Sequence, residues 1–197
     1  MRAVSVILAC AASTQAATIA PRSYPPPPGP WTAGVWRPVP PIHFGDGINA
    51  NNGYFWLGKE PTASCPSDVE GLDCSAYPGS KTVFSGGNDT VSLLVGVDGG
   101  QQVYVEANGA LAYTKAHSDT LPEGALTNGF SRAISDAGGA PTILGFEYQD
   151  QYKNWLLCPV DGSDEVYQIF LGPYNAECVS VEMRTYTSSG PNAWEYS

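Results

Sequence analysis

The sequence predicts an all-β protein, folded as one compact antiparallel β-barrel or sandwich of about a dozen short strands. Three observations lead to this fold class. The 197 residues include 22 glycines and 17 prolines, both of which disfavour helices, and only 14% of residues are charged. Short apolar runs alternate with turn sequences along most of the chain. The hydrophobic content of 43% is enough for one core in a chain of this length.

Residues 1–16 have the pattern of a secretory signal peptide. Arg2 supplies a positive charge, the segment 4–12 is a short apolar stretch, and Thr14-Gln15-Ala16 places small residues at the two positions read for cleavage. We expect cleavage after Ala16, with Ala20 as the second candidate. The alternative, a buried N-terminal strand, is disfavoured because polar and proline-rich sequence follows at once.

A proline-rich spacer, residues 17–32, is predicted to follow the signal peptide. Its segment 21–30 reads PRSYPPPPGP, and the proline rings fix φ and remove backbone donors, so we expect it to be extended and outside any sheet. We interpret the spacer as a tether, with a polyproline ligand for another protein as the alternative. Residues 33–197 are then predicted to form a single all-β domain.

Two Asn-Gly pairs predict β-hairpins, because both residues take positive φ at low cost. Asn52-Gly53 separates the runs 48–51 and 54–57. Asn108-Gly109 separates two further runs, and a two-residue turn there would place Tyr104 opposite Tyr113. Other strands are predicted at 82–85, 91–97, 143–148, 155–160, 166–171, 178–187 and 193–196.

Three aromatic-led strands recur at a spacing of about 50 residues, starting near Tyr54, Tyr104 and Trp155. Such a period would suit a three-fold barrel of the β-trefoil kind. The residues between these strands do not repeat, so the sequence leaves the trefoil as an alternative within the all-β class.

The cysteine count indicates an oxidising compartment, because Cys10 leaves with the signal peptide and an even number remains. Four cysteines allow three pairings, and we favour the two local pairs because each is close in sequence and flanks a polar loop. Each bridge could add about 3 kcal/mol in the loop-entropy account. The sequence contains no CxxC motif, so we predict no metal site at the cysteines. The predicted disulfides are Cys65–Cys74 and Cys158–Cys178.

Charge and missing motifs disfavour several classes of function. The formal net charge of −10 opposes binding to nucleic acids and to anionic membrane surfaces. The sequence has no apolar stretch of about 18 residues, so no transmembrane helix is predicted. It contains no GxSxG, HExxH or glycine-rich phosphate loop. We therefore predict no catalytic, cofactor-binding or metal-binding residues and expect a protein that is not an enzyme.

The histidines and carboxylates have plain interpretations. We interpret His43 and His117 as ordinary strand-end residues rather than an acid–base or metal pair. A glycosidase requires two carboxylates flanking a cleft, and we interpret the acidic residues instead as part of the surface. The most prominent carboxylates are Asp46, Glu60, Asp98, Glu106, Glu147 and Asp150.

Two further features bear on an extracellular role. The sequon Asn88-Asp89-Thr90 follows two glycines, so we predict a turn there and N-glycosylation of Asn88. Exposed tryptophans could stack on sugar rings, although strand alternation should place most of them in the core. The tryptophans are Trp31, Trp36, Trp56, Trp155 and Trp194.

A series of short motifs resembles the fungal phialide cell wall proteins, the PhiA-type family, over roughly residues 33–197. They occur in one order with similar gaps: Pro41–Phe44, Ile48–Lys59, Gly100–Val105, Gly109–Leu111, Ala116–Ser118, Trp155–Pro159, Tyr167-Gln168 and Ala193–Tyr196. The resemblance implies a secreted cell wall protein involved in forming spore-bearing cells and conidia, and some members of the family are IgE-binding allergens. The family has no established catalytic residues, and its cysteine positions match the local pairs. Pro25–Pro28 and Trp36–Pro40 depart from the family pattern.

The expected function is that of a secreted, non-enzymatic structural protein of the cell wall, without a cofactor. Its expected partners are wall polysaccharide or other wall proteins, and neither nucleic acid nor membrane. One alternative is a carbohydrate-binding or host-interacting secreted module. A weaker alternative is a glycoside hydrolase that uses a carboxylate pair.

Overall fold

The computed structural model describes residues 28–37, 47–134, 141–160, 163, 165–172 and 177–197. The predicted signal peptide, most of the predicted spacer, His43 and Asp46 lie outside the described residues. None of the described residues forms a helix with the length and hydrophobicity that a bilayer span requires.

The all-β prediction is confirmed, and the one helical element of the described residues is a 3-10 turn at Cys74–Ala76. The strands are β1 (Trp31–Trp36), β2 (Asn49–Asn51), β3 (Tyr54–Leu57), β4 (Ala63–Ser64), β5 (Phe84–Leu93), β6 (Gln101–Val105), β7 (Leu111–Tyr113), β8 (Phe130–Ile134), β9 (Thr142–Tyr148), β10 (Gln151–Tyr152), β11 (Asn154–Pro159), β12 (Tyr167–Gly172), β13 (Val179–Thr187) and β14 (Glu195–Tyr196).

Nine antiparallel strands close into a barrel, in the order β13, β11, β12, β3, β7, β6, β5, β8, β9 and back to β13. β1 pairs with β13 along its whole length and meets β5 where Trp31 faces Phe84, so it is a second link between those two long strands. β2 adds to β3, β10 adds to β9, and β4 pairs with β14 in a separate small sheet.

Aromatic side chains fill the barrel interior. Trp31 stacks on Phe84 with ring centroids 4.6 Å apart, and Phe55 packs against both Phe84 and Tyr113. Burial of such rings is the main source of stability, at about 25 cal/mol for each Å² of apolar surface removed from water. A second aromatic cluster consists of Phe130, Phe146 and Trp155.

The hairpin predicted at Asn52-Gly53 is confirmed. Asn52 has φ 51° and Gly53 has φ 80°, the two successive positive values that a tight two-residue turn requires. β2 and β3 pair on either side of it, with Asn51 opposite Tyr54.

The second hairpin forms, but its predicted register is wrong by one residue. Tyr104 lies opposite Ala112, not Tyr113. The reason is a three-residue loop: the Glu106 N–H donates to the Ala110 carbonyl, and Gly109 takes the left-handed position with φ 92°. Because side chains alternate, this shift turns Tyr113 into the core and leaves Tyr104 on the other face.

The 50-residue period does not correspond to three-fold symmetry. The three aromatic-led strands are β3, β6 and β11. A single strand separates β3 from β6 and another separates β3 from β11, whereas β5, β8, β9 and β13 lie between β6 and β11. The barrel therefore has no trefoil repeat, and the spacing reflects only similar local sequence.

Both predicted disulfide pairs are present. Cys65–Cys74 closes a short polar loop beside β4, with the two Cα atoms 5.8 Å apart. Cys158–Cys178 joins β11 to the residue that precedes β13, with the Cα atoms 4.3 Å apart. The first bridge ties down a peripheral loop, whereas the second links two neighbouring strands of the barrel.

Candidate functional site

The tryptophan side chains are packed against other groups rather than exposed to solvent. Trp31, Trp56 and Trp155 are buried, and their indole N–H groups donate to backbone carbonyls at 3.0, 2.8 and 2.7 Å. This confirms the expectation that most of them belong to the core. The other two are half-buried against neighbouring side chains, Trp36 against Arg184 and Trp194 against Tyr77. The Lys59 ammonium covers the ring of Trp56.

Among the described residues, the most exposed aromatic side chains are tyrosines, which the sequence reasoning missed. Tyr152 is 77% exposed, Tyr186 is 43% exposed and Tyr148 is 39% exposed. The local sequence does indicate their exposure. Tyr148 and Tyr152 lie in the polar run EYQDQYKN, which lacks the alternating apolar residues of a buried strand.

Tyr148 and Tyr152 are held by the tight hairpin between β9 and β10. Its two turn residues, Gln149 and Asp150, have φ 53° and 57°, as in a type I′ turn. Tyr148 pairs with Gln151, and the next residue, Tyr152, pairs with Glu147. Directly opposed residues share a face of the sheet, so the side chains of Tyr148 and Tyr152 leave opposite faces of this hairpin.

These tyrosines border a groove of about 540 Å³ between the β9–β10 hairpin and the β6–β7 loop. We call it the tyrosine groove. Apolar lining comes from Val105, Leu126 and Leu171, and polar groups surround it. Its lining residues are 105–109, Leu126, Tyr148, 151–154, Leu171 and Gly172.

Glu106 is the acidic residue of the tyrosine groove. Its carboxylate accepts a hydrogen bond of 3.3 Å from the hydroxyl of Tyr54. Burial, and then the negative charge of Glu106, raises the pKa of Tyr54, and the same two causes raise the pKa of Tyr104. Both phenols therefore stay neutral at physiological pH and leave the carboxylate as the local charge.

The charges that line the tyrosine groove balance. Lys153 is the basic counterpart of Glu106, and its ammonium group donates to the side-chain oxygen of Gln151 at 3.0 Å. Asn108 accepts from the Ala110 N–H through its side-chain oxygen at 2.8 Å, which fixes that amide in the loop. The groove thus combines aromatic, amide and ionic groups without a formal net charge.

A second groove, of about 450 Å³, lies beyond the other end of the β6–β7 hairpin. It is lined by Asn52, Gly53, Tyr113, Lys115, Ala116 and residues 195–197. The hydroxyl of Tyr113 accepts from the Gly53 N–H at 3.1 Å and donates to the Ser197 carbonyl at 3.2 Å. Burial raises the pKa of Tyr113 to about 12.

Gln101 holds the segment 195–197 against the barrel. The side chain is buried, and its amide N–H groups donate to the carbonyls of Thr114 and Tyr196 at 2.9 and 2.8 Å. Its oxygen accepts from the Tyr196 N–H at 2.7 Å. The hydroxyl of Tyr196 in turn donates to the Lys81 carbonyl at 2.6 Å. These contacts make the second groove a structural junction.

The sequon residue Asn88 lies on strand β5 and not in a turn, so the predicted local structure was wrong. The glycines before it still shape the chain, because Gly86, Gly87 and Asp89 all have positive φ and bulge the strand. Asn88 faces Ser131 of β8 and is exposed to solvent. The bulge therefore presents Asn88 at the surface while the ladder continues around it.

The other candidate residues do not converge on one centre. His117 is exposed in the turn after β7, with φ 57°. Glu60 and Asp98 are also exposed, whereas Glu147 and Asp150 share a shallow depression of about 380 Å³ with Asp89. In the part of the chain that the structure describes, no three His, Cys, Asp or Glu residues are placed to hold a metal ion.

Comparison with known proteins identifies the family. The family model for PhiA-like secreted proteins matches residues 32–197, which includes every described strand except the first residue of β1. The chain belongs to the PhiA-like secreted protein family. The resemblance seen in the sequence is thereby confirmed, and so is secretion.

A relative of this PhiA-like chain supports the same assignment. It is similar to an uncharacterized secreted protein of Arthroderma benhamiae, with 34% identity over 154 residues that cover 73% of each chain. No solved structure matches the chain.

Proposed function

We propose that this protein is a non-catalytic structural component of the fungal cell wall that takes part in forming spore-bearing cells and conidia. Membership of a secreted family and the resemblance to phialide wall proteins support this role. The observation that carries the proposal is a closed barrel joined by two disulfides in a secreted chain. Such a domain should stay folded for a long time in the oxidising, protease-containing environment outside the cell.

The barrel interior is consistent with a structural role. Large side chains such as Phe55, Phe130 and Phe146 are fully buried, and they occupy the space that a deep binding cavity would need. The grooves lie at the surface, where carboxylates such as Glu106, Glu147 and Asp150 are within reach of solvent. We propose on these grounds that the protein works by position and contact rather than by chemistry.

Fractionation of the producing fungus tests the proposed location. Antibody should find the protein in washed cell walls, with release by reducing agent or by wall-degrading glycanases, and at low level in the cytosol. A protein confined to the culture medium, with none bound to walls of hyphae or conidia, would refute wall residence. Deletion of the gene should lower the yield of conidia, and reintroduction of the full chain should restore it.

We also propose that Asn88 carries an N-glycan, because its side chain lies on an exposed bulge of β5. The intact mass of the secreted protein should fall on treatment with an endoglycosidase, and the Asn88→Gln variant should show the lower mass without treatment. An unglycosylated mass for the natural secreted protein would show that the sequon is not used.

A further inference from the structure

Asn88 belongs to a row of outward-facing residues that crosses three strands of the barrel. It pairs with Ser131 of β8, and Ser131 pairs with Gly145 of β9. Directly opposed residues share a face of a sheet, and Phe130, which precedes Ser131, is buried in the core. The row Asn88, Ser131 and Gly145 therefore points away from the core, and we call it the outer row.

The ring of Tyr152 lies at the far end of the outer row. Tyr152 pairs with Glu147, two residues after Gly145, so its side chain leaves β10 on the same face as Gly145. A Cβ placed on Gly145 would lie 3.0 Å from the hydroxyl oxygen of Ser131 and 4.0 Å from a ring carbon of Tyr152. The ring thus reaches diagonally back along β9, and the side chain is still 77% exposed.

The outer row offers an open path from Asn88 to this ring. Ser131 carries only a hydroxymethyl group, and Gly145 carries no side chain. Neighbouring strands lie about 4.8 Å apart, so the row spans about 10 Å from Asn88 to Gly145. The side chain of an asparagine and two linked pyranose rings are long enough to cross that distance.

The groups along the outer row match the inner part of an N-glycan. Such a glycan begins with two N-acetylglucosamine residues, which are neutral and present C–H faces. A C–H face is attracted to the negative face of an aromatic ring, and Tyr152 supplies one. The Ser131 hydroxyl can donate or accept, and the Glu147 carboxylate accepts from sugar hydroxyls and acetamido N–H groups. Both residues line the shallow depression beside the row.

We propose that the N-glycan of Asn88 folds back over β8 and β9 and stacks its first sugars on Tyr152. Covalent attachment at the start of the row gives the glycan a high effective concentration at the ring, which a free sugar lacks. The inference rests on the proposed glycosylation of Asn88 and adds the surface that receives the glycan. The stacked glycan links β5 to the β9–β10 hairpin and covers apolar ring surface that the bare fold leaves in water.

Thermal unfolding of the full secreted chain, produced in a glycosylating fungal host, tests the contact through a double-mutant cycle. Removal of the glycan by Asn88→Gln should lower the melting temperature of wild type by about 2–4 °C. In the Tyr152→Ala background the same change should shift it by less than about 1 °C. Equal shifts in the two backgrounds would overturn the proposed contact.

Two further tyrosine variants show whether the effect belongs to the ring of Tyr152. Tyr152→Phe keeps the aromatic face, so Asn88→Gln should lower its melting temperature as much as in wild type. Tyr186→Ala is the matched control, because Tyr186 is 43% exposed but lies on β13, outside the outer row. Its background should also give the wild-type shift, and a loss of the shift there would contradict a contact specific to Tyr152.

Nitration by tetranitromethane, mapped by peptide mass spectrometry, measures directly whether the ring is covered. Tyr152 should be nitrated several-fold more slowly in the glycosylated chain than in the Asn88→Gln variant. Tyr186 in the same samples should react at equal rates in both. Equal rates for Tyr152 would show that the glycan projects into solvent and would overturn the inference.

Intact mass separates failure of this inference from failure of the proposed glycosylation. If the natural secreted protein carries no glycan on Asn88, both are wrong. If the glycan is present but is neither coupled to Tyr152 in unfolding nor able to slow its nitration, the inference alone is wrong and the glycosylation stands. Fractionation tests the proposed wall location separately from either result.

Discussion

Gln101 shows how one buried polar side chain can hold a structure closed. Its side chain makes three hydrogen bonds to backbone groups: one to the carbonyl of Thr114, just after β7, and two to the carbonyl and N–H of Tyr196. Thr114 and Tyr196 lie far apart in sequence. Each buried backbone group needs a partner, and among the described residues Gln101 supplies the side-chain bonds to these three groups. The amide therefore fixes the chain's last strand, β14, to the barrel.

We expect Gln101→Leu to destabilise the protein by about 3 kcal/mol or more. Leucine fills a similar volume, but it leaves two carbonyls and one N–H without partners, at about 1–3 kcal/mol for a buried group. Urea unfolding followed by tryptophan fluorescence measures the change. The neighbouring Gln102→Leu is the control, because Gln102 is only half-buried, and an equal loss there would refute the special role of Gln101.

Gly109 is needed for two separate reasons. It has φ 92°, which favours glycine, and a Cβ at this position would lie 2.3 Å from the carbonyl oxygen of Leu171. Gly109 and Leu171 are also joined by a hydrogen bond of 2.7 Å, from the Leu171 N–H to the Gly109 carbonyl. The β6–β7 loop and β12 therefore touch through their backbones beside the tyrosine groove.

A pair of glycine variants separates the two reasons. Gly99 has φ 85°, but a Cβ there would meet nothing within 4 Å. Gly99→Ala should thus cost only the conformational strain, about 1 kcal/mol, whereas Gly109→Ala should cost about 2 kcal/mol more because the clash is with backbone. Thermal unfolding of both variants checks this. Equal melting temperatures for the two would mean that the loop moves away freely.

At the scale of elements, the two disulfides stabilise different parts of the fold. Cys158–Cys178 connects neighbouring barrel strands across a separation of 20 residues, whereas Cys65–Cys74 closes a loop of separation 9 at the periphery. Loop entropy alone would give each bridge about 3 kcal/mol, with the longer loop slightly favoured. Their structural consequences should nevertheless differ.

We expect loss of the Cys158–Cys178 bridge to lower the stability of the whole barrel by about 3 kcal/mol, seen as a lower melting temperature. The paired Cys158→Ser/Cys178→Ser variant should show this, while Cys65→Ser/Cys74→Ser should mainly increase proteolysis within residues 65–74. Reduction of the wild-type protein should lower the melting temperature at least as far as the first variant. An unchanged transition in reductant would contradict both assignments.

Local sequence predicted the elements whose determinants are local. Asn52-Gly53 specified its hairpin, and the close spacing of the cysteines indicated their pairing. Asn108-Gly109 was ambiguous, because the same pair fits a two-residue turn or a three-residue loop with glycine in the left-handed position. That choice depends on the contact of Gly109 with Leu171, which is distant in sequence.

The candidate site depended on contacts of a kind that sequence spacing does not reveal. Residues 105–109, 151–154 and 171–172 meet only because the barrel brings their strand ends together. The polar run EYQDQYKN predicts exposed tyrosines, but the sequence alone does not show which distant residues lie beside them. In the structure the tryptophans pack against other side chains, and the smaller, more polar aromatic occupies the surface.

At the scale of the whole molecule, closure of the sheet removes most free strand edges. Nine strands complete the barrel, and β1 adds a second link between β5 and β13. Free edges invite association with other chains, so closure and a net charge of −10 should together keep the protein soluble at high local concentration. These are useful properties for a secreted protein.

The stability of the whole barrel should fall steeply between pH 10 and pH 12. Burial raises the pKa values of Tyr113 and Tyr196 from 10.0 to about 12 in the folded protein. In this window the unfolded chain releases protons that the folded chain retains, so the free energy of unfolding decreases as pH rises. Below pH 10 both tyrosines are protonated in either state and contribute no pH dependence. The expected loss is about 2–3 kcal/mol for each residue.

Urea unfolding of wild type and variants at pH 8 to 12 measures this slope. Tyr113→Phe and Tyr196→Phe remove the ionisable group but keep the ring, so each should be less stable at pH 8, where a hydrogen bond is lost, and should lose less stability toward pH 12. Tyr152→Phe is the control, since that phenol is 77% exposed and should leave the slope unchanged. If the two buried variants lost stability as steeply as wild type, other groups would have to govern alkaline unfolding, and the closure of the barrel around these phenols would not be what sets its upper pH limit.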